Sequence, residues 1–241
     1  MAGRLYGVGL GPGDPELLTV KAARLIGACP VIAYFAKAGR RGHARLIADR
    51  YIPASAAELP LYYPMTTELP FDHPEYLAAL SRFYALSTAA LAAELENGRD
   101  VALLAEGDPL FYGSFMHLFV RLRERFACEI VPGVTGMAGC SASAGAPMTW
   151  GDDVLTVLPG TLPYDALVAR LKQCDAAVVM KLGRNFEKVR EAFAAAGLLE
   201  RALYVERGTM AGEFVAPLAQ KRDGRAPYFS LVLLPGQGRR P

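Results

Sequence analysis

The 241-residue chain has only four cysteines, three histidines and one tryptophan, and each scarcity removes a class of chemistry. Cys29, Cys128, Cys140 and Cys174 form no C-x-x-C pair and have no neighbouring histidine. They read as reduced apolar fillers rather than a zinc site or a disulfide framework. His43, His73 and His117 make neither H-x-x-x-H nor H-E-x-x-H, so no protein-held metal is expected. His117, within Gly113-Ser114-Phe115-Met116-His117-Leu118, reads as a helix-face residue. The G-x-S-x-G elbow of serine hydrolases and the G-x-x-x-x-G-K-[ST] phosphate loop are both missing. No apolar run approaches the roughly 18–20 residues that span a bilayer, and no charged-then-apolar leader pattern opens the sequence. A cytoplasmic protein without a membrane partner is expected. Charge is nearly balanced, at 26 basic against 24 acidic residues. Basic pieces are as short as Gly39-Arg40-Arg41 and Gly238-Arg239-Arg240, so no nucleic-acid footprint is evident.

What the chain does have begins at residues 5–15, LYGVGLGPGDP. An apolar strand runs into glycines at alternate positions, which let backbone approach a ligand without Cβ interference. Asp14 is placed to cap, and Pro15 to open, a following helix. The dinucleotide fingerprint G-x-G-x-x-G does not fit, because Pro12 or Asp14 falls where the third glycine belongs. The next strand ends in Ala36-Lys37 and offers no carboxylate to a ribose, and Asp14 would repel a pyrophosphate. A nucleoside ligand lacking phosphates fits better.

Apolar runs at 5–10, 31–35, 58–63, 100–105 and 128–131 alternate with amphipathic stretches, the pattern of parallel strands with crossover helices. Leu18, Ala22, Leu25 and Ile26 share one face of the helix expected after Asp14. Leu77, Leu80, Tyr84, Leu91 and Leu95 mark a longer helix, or a pair, stopping at Asn97-Gly98. The proline- and aromatic-rich stretch 60–74 reads as a surface excursion, either a lid or a connection. Beyond about Gly145 the texture changes to short strands at 154–158, 176–181, 202–206 and 228–234 with two helices, a separate mixed α/β domain. Gly-Asp-Pro occurs twice, at Gly13-Asp14-Pro15 and Gly107-Asp108-Pro109, each after an apolar strand. Ligands of parallel sheets bind at the carboxyl ends of strands, so both copies are candidates for one crevice.

Four motifs stand in order: G-x-G-x-G-P-G-D-P at 7–15, A-E-G-D-P at 105–109, V-P-G-V-T-G at 131–136, and Met180-Lys181-Leu182 after a strand. Together they resemble the tetrapyrrole methylases, S-adenosylmethionine-dependent methyltransferases that build the corrin ring. Residues 108–114, 131–152 and 227–230 narrow the resemblance to the branch that methylates precorrin-2 at C-20. The resemblance implies a two-domain α/β fold. Its N-terminal domain, 1–136, would hold a five-stranded parallel sheet with helices on both faces. Its C-terminal domain, 137–241, would hold a mixed sheet, with donor and substrate in the cleft between the two. A homodimer is implied as well.

The resemblance also implies donor contacts at Pro12, Glu106, Gly107, Asp108, Phe111, Thr135, Gly136, Met180 and Gly208. Glu106 stands where many relatives have the first glycine of G-G-D-P, which leaves a side-chain role for it open. Asp14 remains a cap and Gly7 a packing glycine. Met180, which taken alone reads as core, is tilted toward the pocket by its place at a strand end. Methyl transfer from a sulfonium to an electron-rich meso carbon is an in-line displacement with a neutral leaving group, so placement does most of the work and no side chain is singled out as catalytic. The implied acceptor bears eight carboxylates, and Lys37, Arg40, Arg41 and His43 are candidates to clamp them, a solvated loop being the alternative. Two further readings stay open: another acceptor on the same fold (cobalt-precorrin-2, another precorrin, ribosomal RNA or a diphthamide precursor), and a noncatalytic tetrapyrrole or nucleoside carrier.

Overall fold

A computed structural model describes residues 1–64 and 73–238, and the chain divides into two compact units, Met1–Thr135 and Gly136–Pro241. In the first unit the strands β1 (Leu5–Gly9), β2 (Val31–Lys37), β3 (Ala57–Tyr63), β4 (Val101–Ala105) and β5 (Cys128–Val131) form one sheet in the order β3-β2-β4-β1-β5. Every pairing is parallel. The helices are α1 (Val20–Ala28), α2 (His43–Ile47), α3 (Pro74–Glu96) and α4 (Phe115–Leu122). Burial on both faces explains the near-continuous apolar strands. Val101, Leu103 and Ala105 of β4 join a core with Leu91 and Leu95 of α3 and Leu118 of α4, while Ala102 and Leu104 join one with Ala22 and Ile26 of α1. Removing Ile26 from water contributes about 1.5–3 kcal/mol, and it is fully buried.

Some local details differ from the sequence reading. Asp14 does cap, accepting from the Glu16 N–H at 2.8 Å, and Pro15 does open a helical turn, but that turn is a 3₁₀ piece of three residues, Pro15–Leu17. The α-helix starts only at Val20, capped by the Thr19 hydroxyl, so Leu18 lies outside it in extended backbone. A three-residue turn closed by Asp14 leaves room for a second cap, and Thr19 supplies it. α3 is one helix, ending at Asn97, with Gly98 left-handed at φ +75°. Of the stretch 60–74, Pro60 to Tyr63 belong to β3, His73 caps α3 through Nδ1 on the Glu75 N–H, and Pro74 opens that helix; residues 65–72 lie outside the described residues. Arg239 and Arg240 of the second basic piece lie outside them too.

The second unit holds α5 (Gly136–Ser143), β6 (Leu155–Pro159), α6 (Tyr164–Leu171), β7 (Ala176–Met180), α7 (Phe186–Ala195), β8 (Leu203–Glu206), β9 (Phe214–Pro217) and β10 (Ser230–Leu234). Its sheet runs β6-β7-β10-β8-β9, with β6 and β7 parallel and the other pairings antiparallel. The wholly buried β10 sits at the centre: Val232 and Leu234 face α6 and α7, while Leu231 and Leu233 pack with Cys140 of α5. The two helices expected beyond about Gly145 are α6 and α7; the strand β9 is additional to the four expected there, and α5, which precedes that stretch, is not among the expected helices. Both escape pattern recognition, since β9 is a short, half-exposed edge strand and α5 is rich in small residues without an apolar stripe. No helix of the described residues is long and apolar enough to cross a membrane.

Candidate functional site

Because β1 lies between β4 and β5, the turns leaving these three strands emerge side by side at the carboxyl edge of the first sheet. The chain leaves β1 toward β2 and leaves β4 toward β5, so β1 and β4 flank a topological switch point, where open α/β sheets bind ligands. The turns are knit through backbone. Gly107 donates to the Gly11 carbonyl at 2.8 Å, and the Gly11 N–H returns to Gly107 at 3.3 Å. A Cβ on Gly9 would stand 2.5 Å from the Gly133 nitrogen, and one on Gly133 only 2.1 Å from the Gly107 carbonyl oxygen. Only glycines permit that approach. Asp108 joins the same knot, its carboxylate accepting from the Leu110 N–H at 2.9 Å and the Gly133 N–H at 3.1 Å.

The structure thus brings Pro12, Glu106, Gly107 and Asp108 to one edge, with Phe111 on the turn after β4. Thr135 closes the segment after β5. Gly7 has a packing role, for a Cβ there would overlap the buried Phe115 ring. The Glu106 side chain turns toward α2 and accepts the Ala44 N–H at 3.1 Å. Desolvation pushes its carboxyl pKa up, against the lowering influence of backbone N–H groups and of His43.

In the second unit β7 and β8 both run antiparallel to β10, so their carboxyl ends, carrying Met180 and the turn with Gly208, share one edge. Gly208 is buried against α5, and a Cβ on it would approach the Cys140 sulfur to 2.8 Å. Gly136, which opens α5, has open space where a Cβ would sit. The turn around Gly208 is held by two side chains that the sequence did not single out: the Thr209 N–H donates to Glu213 Oε2 at 2.7 Å and to Ser143 Oγ at 2.9 Å, and the Ser143 hydroxyl donates to Glu213. These bonds hold the Glu213 carboxyl below the usual range. A serine and a glutamate 70 residues apart carry no local signal.

Among the described residues the non-glycines with positive φ are Tyr112 (55°), Lys181 (57°), Arg207 (51°) and Thr209 (68°). Each adjoins a candidate donor position, namely Phe111, Met180 or Gly208. Left-handed backbone costs such residues about 1–2 kcal/mol, and strain of this kind concentrates at functional sites.

The basic segment leaves β2 on the same edge of the first unit. Lys37 ends the strand, Arg40 donates its N–H to the Lys37 carbonyl in a tight turn, Arg41 lies 4.0 Å from Asp49, and His43 opens α2. A buried arginine locks α2 down. Arg45 reaches Glu58 of β3 at 2.8 and 2.9 Å and Asp49 at 2.5 Å, and the Tyr34 hydroxyl also donates to Glu58. The Arg45 guanidinium holds the Glu58 carboxyl down at about 2, and burial together with the bond to Glu58 raises the Tyr34 hydroxyl to about 12.

Elsewhere, burial raises the Cys29 thiol to about 12 and the Cys140 thiol to about 11, which keeps both protonated. His117 stacks on Tyr84 at 4.4 Å on the surface of α4, and desolvation lowers its pKa, aided by Arg121. Among the described residues no group of three or more His, Cys, Asp or Glu side chains is placed to hold a metal ion.

The model of the Tetrapyrrole (Corrin/Porphyrin) Methylases matches residues 4–220. A Sinorhizobium precorrin-2 C(20)-methyltransferase is 56% identical over 99% of this chain and 98% of its own. A Salmonella typhimurium cobalt-precorrin-2 C(20)-methyltransferase is 34% identical over 97% of each. The native uroporphyrin III C-methyl transferase of Thermus thermophilus superposes with a TM-score of 0.66 at 26% identity over 97% of each chain. The parallel and mixed sheets, the glycine-knit turns and these likenesses place the chain in the tetrapyrrole methylases, an S-adenosylmethionine-dependent methyltransferase family.

Proposed function

We propose that this chain transfers a methyl group from S-adenosylmethionine to C-20 of precorrin-2, giving precorrin-3A in cobalamin synthesis. The observation that carries the acceptor is the 56% identity, over nearly the full length of both chains, to an enzyme named for that reaction. The metal-free acceptor is preferred to its cobalt complex because the relative named for the latter is 34% identical.

The donor positions are proposed as Pro12, Glu106, Gly107, Asp108, Phe111 and Thr135 from the first unit, and Gly136, Met180 and Gly208 from the second. Three features support them. The glycine-knit turns present main-chain groups to a ligand, Gly136 leaves open space at the start of α5, and the strained residues adjoin Phe111, Met180 and Gly208. When bound, the donor supplies a sulfonium methyl whose leaving group departs neutral, so no acid is required. The chain's part is placement. Asp108 fixes the turns after β4 and β5 through Leu110 and Gly133, and Ser143 with Glu213 fixes the turn at Gly208. Rigid alignment of reacting atoms is worth on the order of 7–11 kcal/mol. Lys37, Arg40, Arg41 and His43 are proposed to meet acceptor carboxylates.

A cytoplasmic homodimer completes the reading, its dimeric state supported by Leu77 and Leu86 on α3 and Tyr62 on the edge strand β3, all largely exposed. Sedimentation velocity at micromolar concentration is expected to show a dimer, and a monomer would remove that element. The reaction is tested by incubating the purified protein with isotopically labelled donor and precorrin-2. One added methyl, located at C-20 by NMR, is expected; binding of both ligands without transfer would mean a carrier, and methylation of the cobalt complex alone would reassign the acceptor.

A further inference from the structure

Glu106 stands in the donor turn, where its proposed donor contact is through main chain alone, and sends its side chain elsewhere. Its carboxylate reaches across from the end of β4 to the Ala44 N–H at the start of α2, 62 residues away in sequence. That contact joins the turn beginning Glu106-Gly107-Asp108 to the segment carrying Lys37, Arg40, Arg41 and His43. The far side of α2 is fixed by Arg45 on Glu58 of β3. In between, Gly42 lies so close to Phe35 that a Cβ would stand 2.0 Å from its carbonyl oxygen. The basic segment is therefore tethered at its exit from β2, at α2 and at the donor turn, and the last tether depends on the Glu106 side chain.

We infer that Glu106 is a positioning residue for the tetrapyrrole acceptor: by holding α2 to the donor turn, it sets where the cations after β2 meet acceptor carboxylates relative to the methyl donor. This rests on the acceptor reading given above. What matters is the reach of the side chain and its acceptor oxygen, not its charge. Glutamine keeps both, aspartate keeps the charge but falls short by one methylene, and alanine keeps neither.

The test compares Glu106→Ala, Glu106→Asp and Glu106→Gln with the unaltered protein. The acceptor KM and kcat are measured with precorrin-2, and donor affinity is measured separately by calorimetry with S-adenosylhomocysteine. One hydrogen bond corresponds to about a 3–10-fold effect. Glu106→Ala and Glu106→Asp are expected to raise the acceptor KM by that factor, with the S-adenosylhomocysteine dissociation constant changed less than about twofold, and Glu106→Gln is expected to restore most of the loss. Should Glu106→Ala not fold, Glu106→Asp against Glu106→Gln gives the same contrast. An unchanged acceptor KM in the aspartate variant overturns the inference, as does an equal loss of donor and acceptor binding, or a glutamine variant no better than aspartate. If the unaltered protein transfers no methyl to precorrin-2, the acceptor reading fails instead, which the wild-type control reveals before any variant is made.

Discussion

The two units differ in how far glycine shapes their strand-end turns. At the carboxyl edge of the first sheet the close approaches belong to glycines: Gly9 and Gly133 leave no room for a Cβ, and Gly11 and Gly107 adopt positive φ. In the second unit the turns after β7 and β8 keep side chains at positive φ, on Lys181, Arg207 and Thr209. In the turn after β8, Glu213 and Ser143 hold the Thr209 N–H, adding side-chain bonds to the backbone bond from the Arg207 N–H to the Phe229 carbonyl. The first arrangement makes rigidity a matter of missing atoms. The second retains side chains where glycine would be less strained, which implies that those side chains matter.

The largest effect is expected from Gly133→Ala. Its new methyl meets backbone at 2.1 Å, which no rotamer change can relieve. Overpacking of this kind typically costs 1–3 kcal/mol and here should reach about 3 kcal/mol or more in urea unfolding. A loss below about 1 kcal/mol would break the picture of a close-packed edge.

Next come two exposed carboxylate anchors, one of them paired with a buried cation. Glu58→Ala leaves the buried Arg45 guanidinium with Asp49 alone and should cost about 2 kcal/mol, whereas Glu213→Ala, losing bonds that water can replace, should cost about 1 kcal/mol or less. Glu58 also marks pH dependence. Its folded pKa of about 2 lies below its ordinary 4.5, so its contribution is complete above about pH 4.5 and is lost as the pH falls toward 2. Acid titration of unfolding should lose part of its slope in that window in the Glu58→Ala variant.

A reciprocal exchange sharpens the contrast. Gly107→Ala places a Cβ at φ +64° and should cost about 1–2 kcal/mol. Arg207→Gly relieves the same strain and should leave stability within about 1 kcal/mol of the unaltered protein, or above it. If Arg207→Gly leaves transfer activity intact as well, the strained side chain has no functional reason to be there.

Smallest is the thiol prediction. Cys29 and Cys140, buried and held protonated, should react with a thiol reagent only on unfolding, while the half-exposed Cys128 and Cys174 should react sooner.

The parallel unit was the more legible in sequence. Its strands are buried on both faces and read as apolar runs, its turns carry Gly-Asp-Pro twice, and both the Asn97-Gly98 stop and the Asp14 cap stand where local chemistry puts them. What local chemistry could not show was that Asp14 closes a 3₁₀ turn and that Thr19 begins α1. In the second unit the edge strand β9 and the small-residue helix α5 lack a period to read. The donor candidates came from motif resemblance, while the bonds that organise them, Ala44 to Glu106, Gly133 to Asp108 and Thr209 to Glu213, span loops that only folding brings together.

Calorimetric titration of the folded protein with S-adenosylhomocysteine tests most directly whether these turns form a methyl-donor site. One molecule bound per chain is expected, with affinity reduced at least about tenfold in a folded Gly107→Ala variant. Absence of binding heat at several temperatures, with the protein folded throughout, would contradict it.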